Sequence, residues 1–142
     1  MAIPSGSGSE VLRNAAINAQ NNNTARVDWG GTTGTGTVRT SGNSSGTTTV
    51  PANVIITVLN ITCCSVSATH NIKASVDWQD SGTEILVFSH VGLAVDTVFV
   101  WNEKMVLREG DILKLYNSAD QCDWTVNLST KTGHRRNHEW NN

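Results

Sequence analysis

The sequence has few charges, few aromatic residues and no long apolar run. Only 15% of its 142 residues are charged, against roughly 25% in soluble domains. No apolar stretch approaches the ~20 residues of a membrane-spanning helix, and the Ser- and Gly-rich start lacks the charged and apolar regions of a signal peptide. We therefore expect neither an integral membrane protein nor a Sec-exported one, and we predict no membrane partner.

The common catalytic and nucleotide-binding motifs are also missing. The sequence contains no Gly-x-Ser-x-Gly elbow, no phosphate-binding Gly-Lys-Ser/Thr loop and no dinucleotide fingerprint. Asp77, Asp80 and Glu84 could supply two glycosidase carboxylates across a hairpin, but acidic side chains around a surface turn are the commoner arrangement. We predict that the protein is not an enzyme and uses no cofactor.

The three cysteines and the clustered histidines do not indicate a metal site. Cys63, Cys64 and Cys122 contain no Cys-x-x-Cys pair. Neighbouring residues of a strand point to opposite faces, so at most one of the first two could readily bridge to Cys122, and we expect all three to be reduced, as in an intracellular protein. His134 and His138 are four residues apart but have no evident third ligand, so we expect a solvated basic tail and no metal.

Apolar residues are concentrated in the middle of the chain. Residues 1–49 hold 6 of the 33 Leu, Ile, Val and Phe residues, residues 50–129 hold 27 and residues 130–142 hold none. The middle segment carries a formal charge of −5 between mildly basic ends, which argues against nucleic-acid binding by the body and would allow the ends to dock on an acidic surface. We predict an N-terminal arm at 1–23, a β-sandwich at 24–129 whose core is 50–129, and a polar C-terminal tail at 130–142.

Alternation with a period of two predicts strands from Val50 onward. In Ile72–Trp78 four apolar side chains share one face, and Cys122–Leu128 alternates in the same way. Further predicted strands are 54–61, 84–89, 97–101, 104–107 and 112–117, with shorter candidates at 25–29 and 36–40. Turn residues at 79–82 indicate a hairpin. Several short strands at this spacing predict an all-β fold, an antiparallel β-sandwich or jelly roll.

The arm has the sequence signature of a short helix. Ser7 and Glu10 have the spacing of a capping box, and the apolar residues that follow fall at helical intervals. We predict a short helix that ends by about Gln20, with an apolar stripe too thin for stability without a body or partner to pack on.

Three of the five tryptophans share an apolar-Asp-Trp pattern. Trp29, Trp78 and Trp124 each follow an aspartate. Because strand alternation places Trp78 and Trp124 on apolar faces, we favour core packing; a row of aromatics that stacks on sugar rings is the alternative, with Trp29 and Trp101 as the candidate stacking residues.

Several segments resemble small β-sandwich virion proteins of tailed bacteriophages, of the decoration or cement type. The resemblance is carried by Val-Pro-Ala before a strand at 49–56, by paired strands at 98–107, by the Glu-Gly-Asp turn of 109–115, and by the opening residues 1–13. It implies a structural virion protein, and in particular a capsid decoration protein that binds the outer surface of the major capsid protein shell and stabilises it. A tail, neck or fibre component, including a receptor- or glycan-binding module, is the alternative.

The same resemblance implies partners and a location. The expected partners are the major capsid protein and further copies of this chain, with a trimer as one arrangement, and the expected location is the capsid surface after assembly in the host cytoplasm. We place the interface in the arm, because these apolar or basic residues have no evident intramolecular core: Ile3, Pro4, Val11, Leu12 and Arg13, with Ile17 as a weaker candidate.

Overall fold

The fold is an all-β sandwich, as the alternation predicts. A computed structural model describes residues 10–19, 24–29, 38–39, 48–118 and 122–132. Within these residues the strands are β1 (Glu10–Ala19), β2 (Thr24–Arg26), β3 (Val38–Arg39), β4 (Val54–Ser65), β5 (His70–Asp77), β6 (Glu84–Leu93), β7 (Val98–Trp101), β8 (Met105–Leu107), β9 (Ile112–Asn117) and β10 (Cys122–Thr132). None of the described residues belongs to a helix long and apolar enough to cross a bilayer.

The strands form one six-stranded and one four-stranded sheet. The larger sheet has the order β3-β1-β10-β4-β7, and β8 pairs with β4 farther along the same edge as β7. The smaller sheet has the order β2-β9-β5-β6. Apart from the short parallel contact between β1 and β3, the described pairs are antiparallel.

The core lies between the two sheets and is built by the predicted alternation. In β4, every second residue is buried on both sides of a bulge. The bulge lies opposite Asn127 and Leu128 and adds one residue to β4, so the alternation continues beyond it with the same face buried. Trp124 is 1% exposed, and its indole N–H donates to the Asn117 side-chain oxygen at 3.2 Å. Phe88 packs from β6 onto the Trp124 ring, which joins the two sheets through aromatic contacts.

The predicted arm helix is wrong: residues 10–19 form β1. This strand pairs with β10 through ten consecutive residues, from Glu10 opposite Lys131 to Ala19 opposite Cys122. Its alternate residues Ala15 and Ile17 are each 2% exposed and belong to the core. The capping-box signal is local, whereas the ten-residue pairing buries apolar surface that a marginal helix could not.

The turn between β5 and β6 confirms the predicted hairpin and corrects the prediction for one tryptophan. Residues 78–81 form a turn closed by a hydrogen bond from the Ser81 N–H to the Trp78 carbonyl at 3.1 Å, in which Gln79 and Asp80 have φ of 52° and 53°, as in type I′ hairpin turns. Trp78 starts this turn, is 47% exposed and has the Arg108 guanidinium 4.7 Å from its ring centre. The prediction of core packing is therefore wrong for Trp78, because β5 ends one residue before it.

The expectation of three reduced cysteines is also wrong. Cys63 of β4 and Cys122 of β10 form a disulfide between the two central strands of the larger sheet, with their Cα atoms 6.5 Å apart. Cys64 points to the other face and is a free thiol. The pairing depends on strand register, which brings Cys122 diagonally next to Cys63. Since disulfides persist mainly in oxidising compartments, the cysteines no longer support an intracellular assembly site.

Candidate functional site

The outer face of the six-stranded sheet is uncharged over most of its width, and we call it the uncharged face. Alternation directs these side chains away from the core. It consists of Leu12, Asn14, Ile55, Thr57, Leu59, Asn60, Thr62, Cys64, Val98, Val100, Val106, Thr125 and Asn127. Among the described side chains on this face, the charged ones lie toward the strand ends, with Asp123 at one end and Glu10 and Lys131 at the other.

Four aliphatic side chains project strongly from the uncharged face. Leu12 is 75% exposed, Val98 57%, Val100 52% and Val106 56%. The last three lie on the edge strands β7 and β8, opposite Cys64, Thr62 and Thr57 of β4 respectively. An aliphatic and hydroxyl-rich sheet surface is typical of a face that packs on another protein, because burying it desolvates few ions.

The outer face of the four-stranded sheet is charged and internally paired. Lys114 of β9 places its Nζ 2.8 Å from a Glu84 carboxylate oxygen and 3.5 Å from one of Asp77. Lys73 lies 5.0 Å from the centre of the Tyr116 ring. The two outer faces of the sandwich therefore differ in chemistry: one satisfies its charges within the chain, and the other carries few.

The pKa of Glu84 lies below its ordinary value. The hydrogen bond that Lys114 donates is the largest cause, and the positive charges of Lys114 and Lys73 and the hydrogen bond from Ser75 act in the same direction, while desolvation opposes them. Asp77, only 3% exposed, also accepts a hydrogen bond from the Gly82 N–H at 3.0 Å. These carboxylates hold the hairpin and sheet together around one lysine, which is the structural arrangement expected for acids around a turn.

The residues predicted to form the interface differ in exposure, and two of them lie outside the described residues. Ile3 and Pro4 lie outside them. Val11 is 37% exposed and Leu12 belongs to the uncharged face, whereas Arg13 is half-buried and donates from Nε to the Thr130 hydroxyl at 3.1 Å. The weaker candidate, Ile17, is buried in the core, so its assignment to an interface is corrected.

Neither tryptophan proposed for sugar stacking presents an open ring. Trp29 is 2% exposed and donates its indole N–H to the Thr48 carbonyl at 2.9 Å. Trp101 is half-buried and points inward, with its ring centre 6.4 Å from that of Phe88. Core packing is therefore confirmed for Trp29 and, as described above, for Trp124.

The histidine cluster lies outside the described residues, since His134 and His138 follow the end of β10. Among the described ranges, no group of three or more His, Cys, Asp or Glu residues could hold a metal ion.

Three valines that dominate the uncharged face are not among the predicted site residues. Val98, Val100 and Val106 lie in predicted strands. The usable signal was Val98-Phe99-Val100-Trp101, which is apolar in both phases of the alternation. A strand with apolar residues on both faces, at the edge of a sandwich, must expose one of them.

No family model and no curated protein matches the chain. Three solved structures show weak likeness in fold. A chain of Bacillus endospore appendages, which form a family of disulfide-linked pili, has a TM-score of 0.44 and 8% identity, covering 95% of this chain and 97% of that one. A chain of the T13 particle of infectious bursal disease virus has a TM-score of 0.45 and 11% identity over 89% of this chain and 31% of that one.

The third structure is of the Gx strain of the same virus, with a TM-score of 0.39 and 14% identity over 89% of this chain and 34% of that one. The chain thus spans about a third of each viral chain it matches. At these identities the likeness concerns the arrangement of strands.

Proposed function

We propose that this protein is a structural virion protein that packs its uncharged face against a protein shell. In its most specific form the proposal is a capsid decoration or cement protein of a tailed bacteriophage, bound to the outer surface of the major capsid protein. The observation that carries the proposal is the contrast between the two sheet faces: exposed Val98, Val100 and Val106 on one, and the Lys114 ion pairs on the other.

The difference between the two faces favours binding to a partner through the uncharged face. Burying the uncharged face would remove aliphatic surface from water at roughly 25 cal/mol per Å² and would desolvate few charges. The opposite face, with its charges already paired, can remain in water. A modest contact of this kind suffices on a shell, because stabilisation by binding accumulates over many repeated copies.

The predicted arm residues extend this surface. Leu12 lies on the uncharged face of β1, whereas Val11 points to the other side of the strand, and residues 1–9, which include Ile3 and Pro4, precede this strand. We propose that residues 1–9 continue the contact onto the partner while β1 stays in the sandwich. Association with other copies of the chain, for example as a trimer, belongs to the same proposal.

The test is attachment of purified protein to particles of the source virus that lack it. Val98→Lys together with Val100→Lys should reduce attachment at least about tenfold, since two charges would enter the contact (about 1.4 kcal/mol per factor of ten). Leu86→Lys is the matched control, because Leu86 is 58% exposed on the charged face and its replacement should leave attachment unchanged. Undiminished attachment of the double variant, with thermal unfolding like that of the unsubstituted protein, would sink the proposal.

The alternative is a tail, neck or fibre component. Antibody labelling of intact virions separates the two, because a decoration protein occupies the shell in many copies and a tail or neck protein one vertex. The further idea of a glycan-binding module is weakened by the burial of Trp29 and the inward direction of Trp101.

A further inference from the structure

One lateral side of the sandwich is open and contains an apolar groove. Here the smaller sheet ends in β6 and the larger sheet in β7 and β8. We call the space between them the edge groove; its volume is about 250 Å³. It is lined mainly by Val76, Trp78, Ile85, Val87, Met105 and Val106.

The dimensions and chemistry of the edge groove favour one large apolar side chain as its occupant. Its volume is below the roughly 300–1,000 Å³ of sites for drug-sized ligands. Trp78 and Ile85 in its lining are 47% and 48% exposed, and Arg108 lies over the Trp78 ring at one end. An aromatic residue from a peptide segment would cover these side chains and could stack beside the indole.

The charges around the edge groove favour a basic segment. The flanking segments 78–84 and 102–111 hold five carboxylates against two cationic side chains, and the carboxylates are Asp80, Glu84, Glu103, Glu109 and Asp111. Of these Glu84 is paired with Lys114, and Asp111 accepts hydrogen bonds from the Gln79 and Arg108 N–H groups at 3.1 Å. The others leave the rim acidic.

The residues that follow β10 have the matching composition and sufficient length. Residues 133–142 contain Arg135 and Arg136 against Glu139, and one aromatic residue, Trp140. β10 ends at Thr132, opposite Val54 of β4, and β8 pairs with the other side of β4 near the same end. Two strand spacings amount to roughly 10 Å, whereas the eight residues 133–140 can span up to about 26 Å.

We propose that residues 133–142 dock in the edge groove of their own chain, with the Trp140 indole between Trp78 and Ile85. Arg135 and Arg136 then face the acidic rim. Docking covers the apolar side chains at the open side of the sandwich and shields the edge of β6, which pairs only with β5 among the described strands. The edge groove shares only Val106 with the uncharged face, so the docking can be tested separately from the proposed attachment to a shell.

Disulfide trapping in the full chain tests the docking. In a Cys64→Ser background, cysteines at positions 85 and 141 (Ile85→Cys and Asn141→Cys) should form an intramolecular disulfide with oxidised glutathione at least tenfold faster than the control pair Leu12→Cys and Asn141→Cys. Adding Trp140→Ala should reduce the rate to that of the control. Equal rates for the two pairs would overturn the proposal, and so would a disulfide-linked dimer, since the occupant would then be a second copy.

A second measurement avoids the engineered cysteines. Hydrogen–deuterium exchange of the otherwise unsubstituted chain should become faster in β6 and β8 upon Trp140→Ala, because their covering is lost. Exchange in the centre of the larger sheet, at β4 and β10, should not change. Unaltered exchange at β6 and β8 would contradict the docking.

Discussion

Lys114 is the cation that pairs with both Asp77 and Glu84 on the charged face. Its ammonium group lies between Glu84, whose side chain is 40% exposed, and Asp77, which is 3% exposed. A buried carboxylate is costly when its cation is removed, because it loses its ion pair and cannot regain full hydration. The interaction therefore contributes to stability mainly through Asp77.

We predict that Lys114→Met lowers the free energy of unfolding at pH 7 by about 1–3 kcal/mol. The matched control is Lys73→Met, which removes a cation near the Tyr116 ring and should cost no more than about 1 kcal/mol. Urea denaturation of the three proteins measures both values. Equal losses for the two variants would show that Asp77 does not need Lys114.

The same substitution should change the pH dependence of stability. Because the folded pKa of Glu84 is lowered, its contribution is complete above the unfolded pKa of about 4.3 and disappears as the pH falls through the lower folded pKa. The unsubstituted protein should therefore lose more stability than Lys114→Met on acidification below about pH 4.3. Parallel pH profiles would contradict this.

At the scale of elements, β1 shows where local sequence signals fail. The strands β4 to β10 were predictable, since alternation or apolar runs of strand length agree there with the turn residues between them. In residues 10–19 the capping-box spacing and the period-two burial of Ala15 and Ile17 compete, and only the pairing with β10 decides between them. The disulfide is a similar case, because the partner of Cys122 depends on a register that no local pattern encodes.

The strand assignment predicts different costs for truncating two aliphatic residues of β1. Ile17→Ala should destabilise the protein by about 2–4 kcal/mol, because it leaves a cavity in the core. Leu12→Ala should cost less than about 0.5 kcal/mol, since Leu12 is 75% exposed and surface substitutions are usually mild. Chemical denaturation gives both values, and a Leu12 cost as large as that of Ile17 would be inconsistent with this register of β1.

At the scale of the whole molecule, the uncharged side chains are concentrated on one outer face of the sandwich. A surface with few ions can pack on a neighbour without desolvating many charges, but composition alone does not say where such a surface lies. The position of this face follows from the sheet order, which brings Val98 and Val100 of β7 beside Cys64 and Thr62 of β4 on one surface. The charged residues Lys73 and Lys114 lie on the other sheet, so the chain separates its chemistry by face.

This separation predicts the thermodynamics of attachment. If the uncharged face forms the contact, the affinity for particles should change less than about threefold between 50 and 500 mM NaCl, because few charges are screened. Binding should also show a negative heat-capacity change from apolar burial. Isothermal titration calorimetry at several salt concentrations and temperatures measures both. A steep loss of affinity with salt would instead indicate binding through the charged face or the basic ends.

The Cys63–Cys122 disulfide also has a mechanical consequence. It joins the two central strands of the larger sheet and closes a loop with a sequence separation of 59 residues, which contains β5 to β9. A pulling force applied outside this loop is transmitted through the sulfur–sulfur bond, so the enclosed chain, roughly 200 Å long when extended, cannot lengthen under load. While the bond is intact, the charged sheet strands β5, β6 and β9 are mechanically isolated from tension on the ends of the chain.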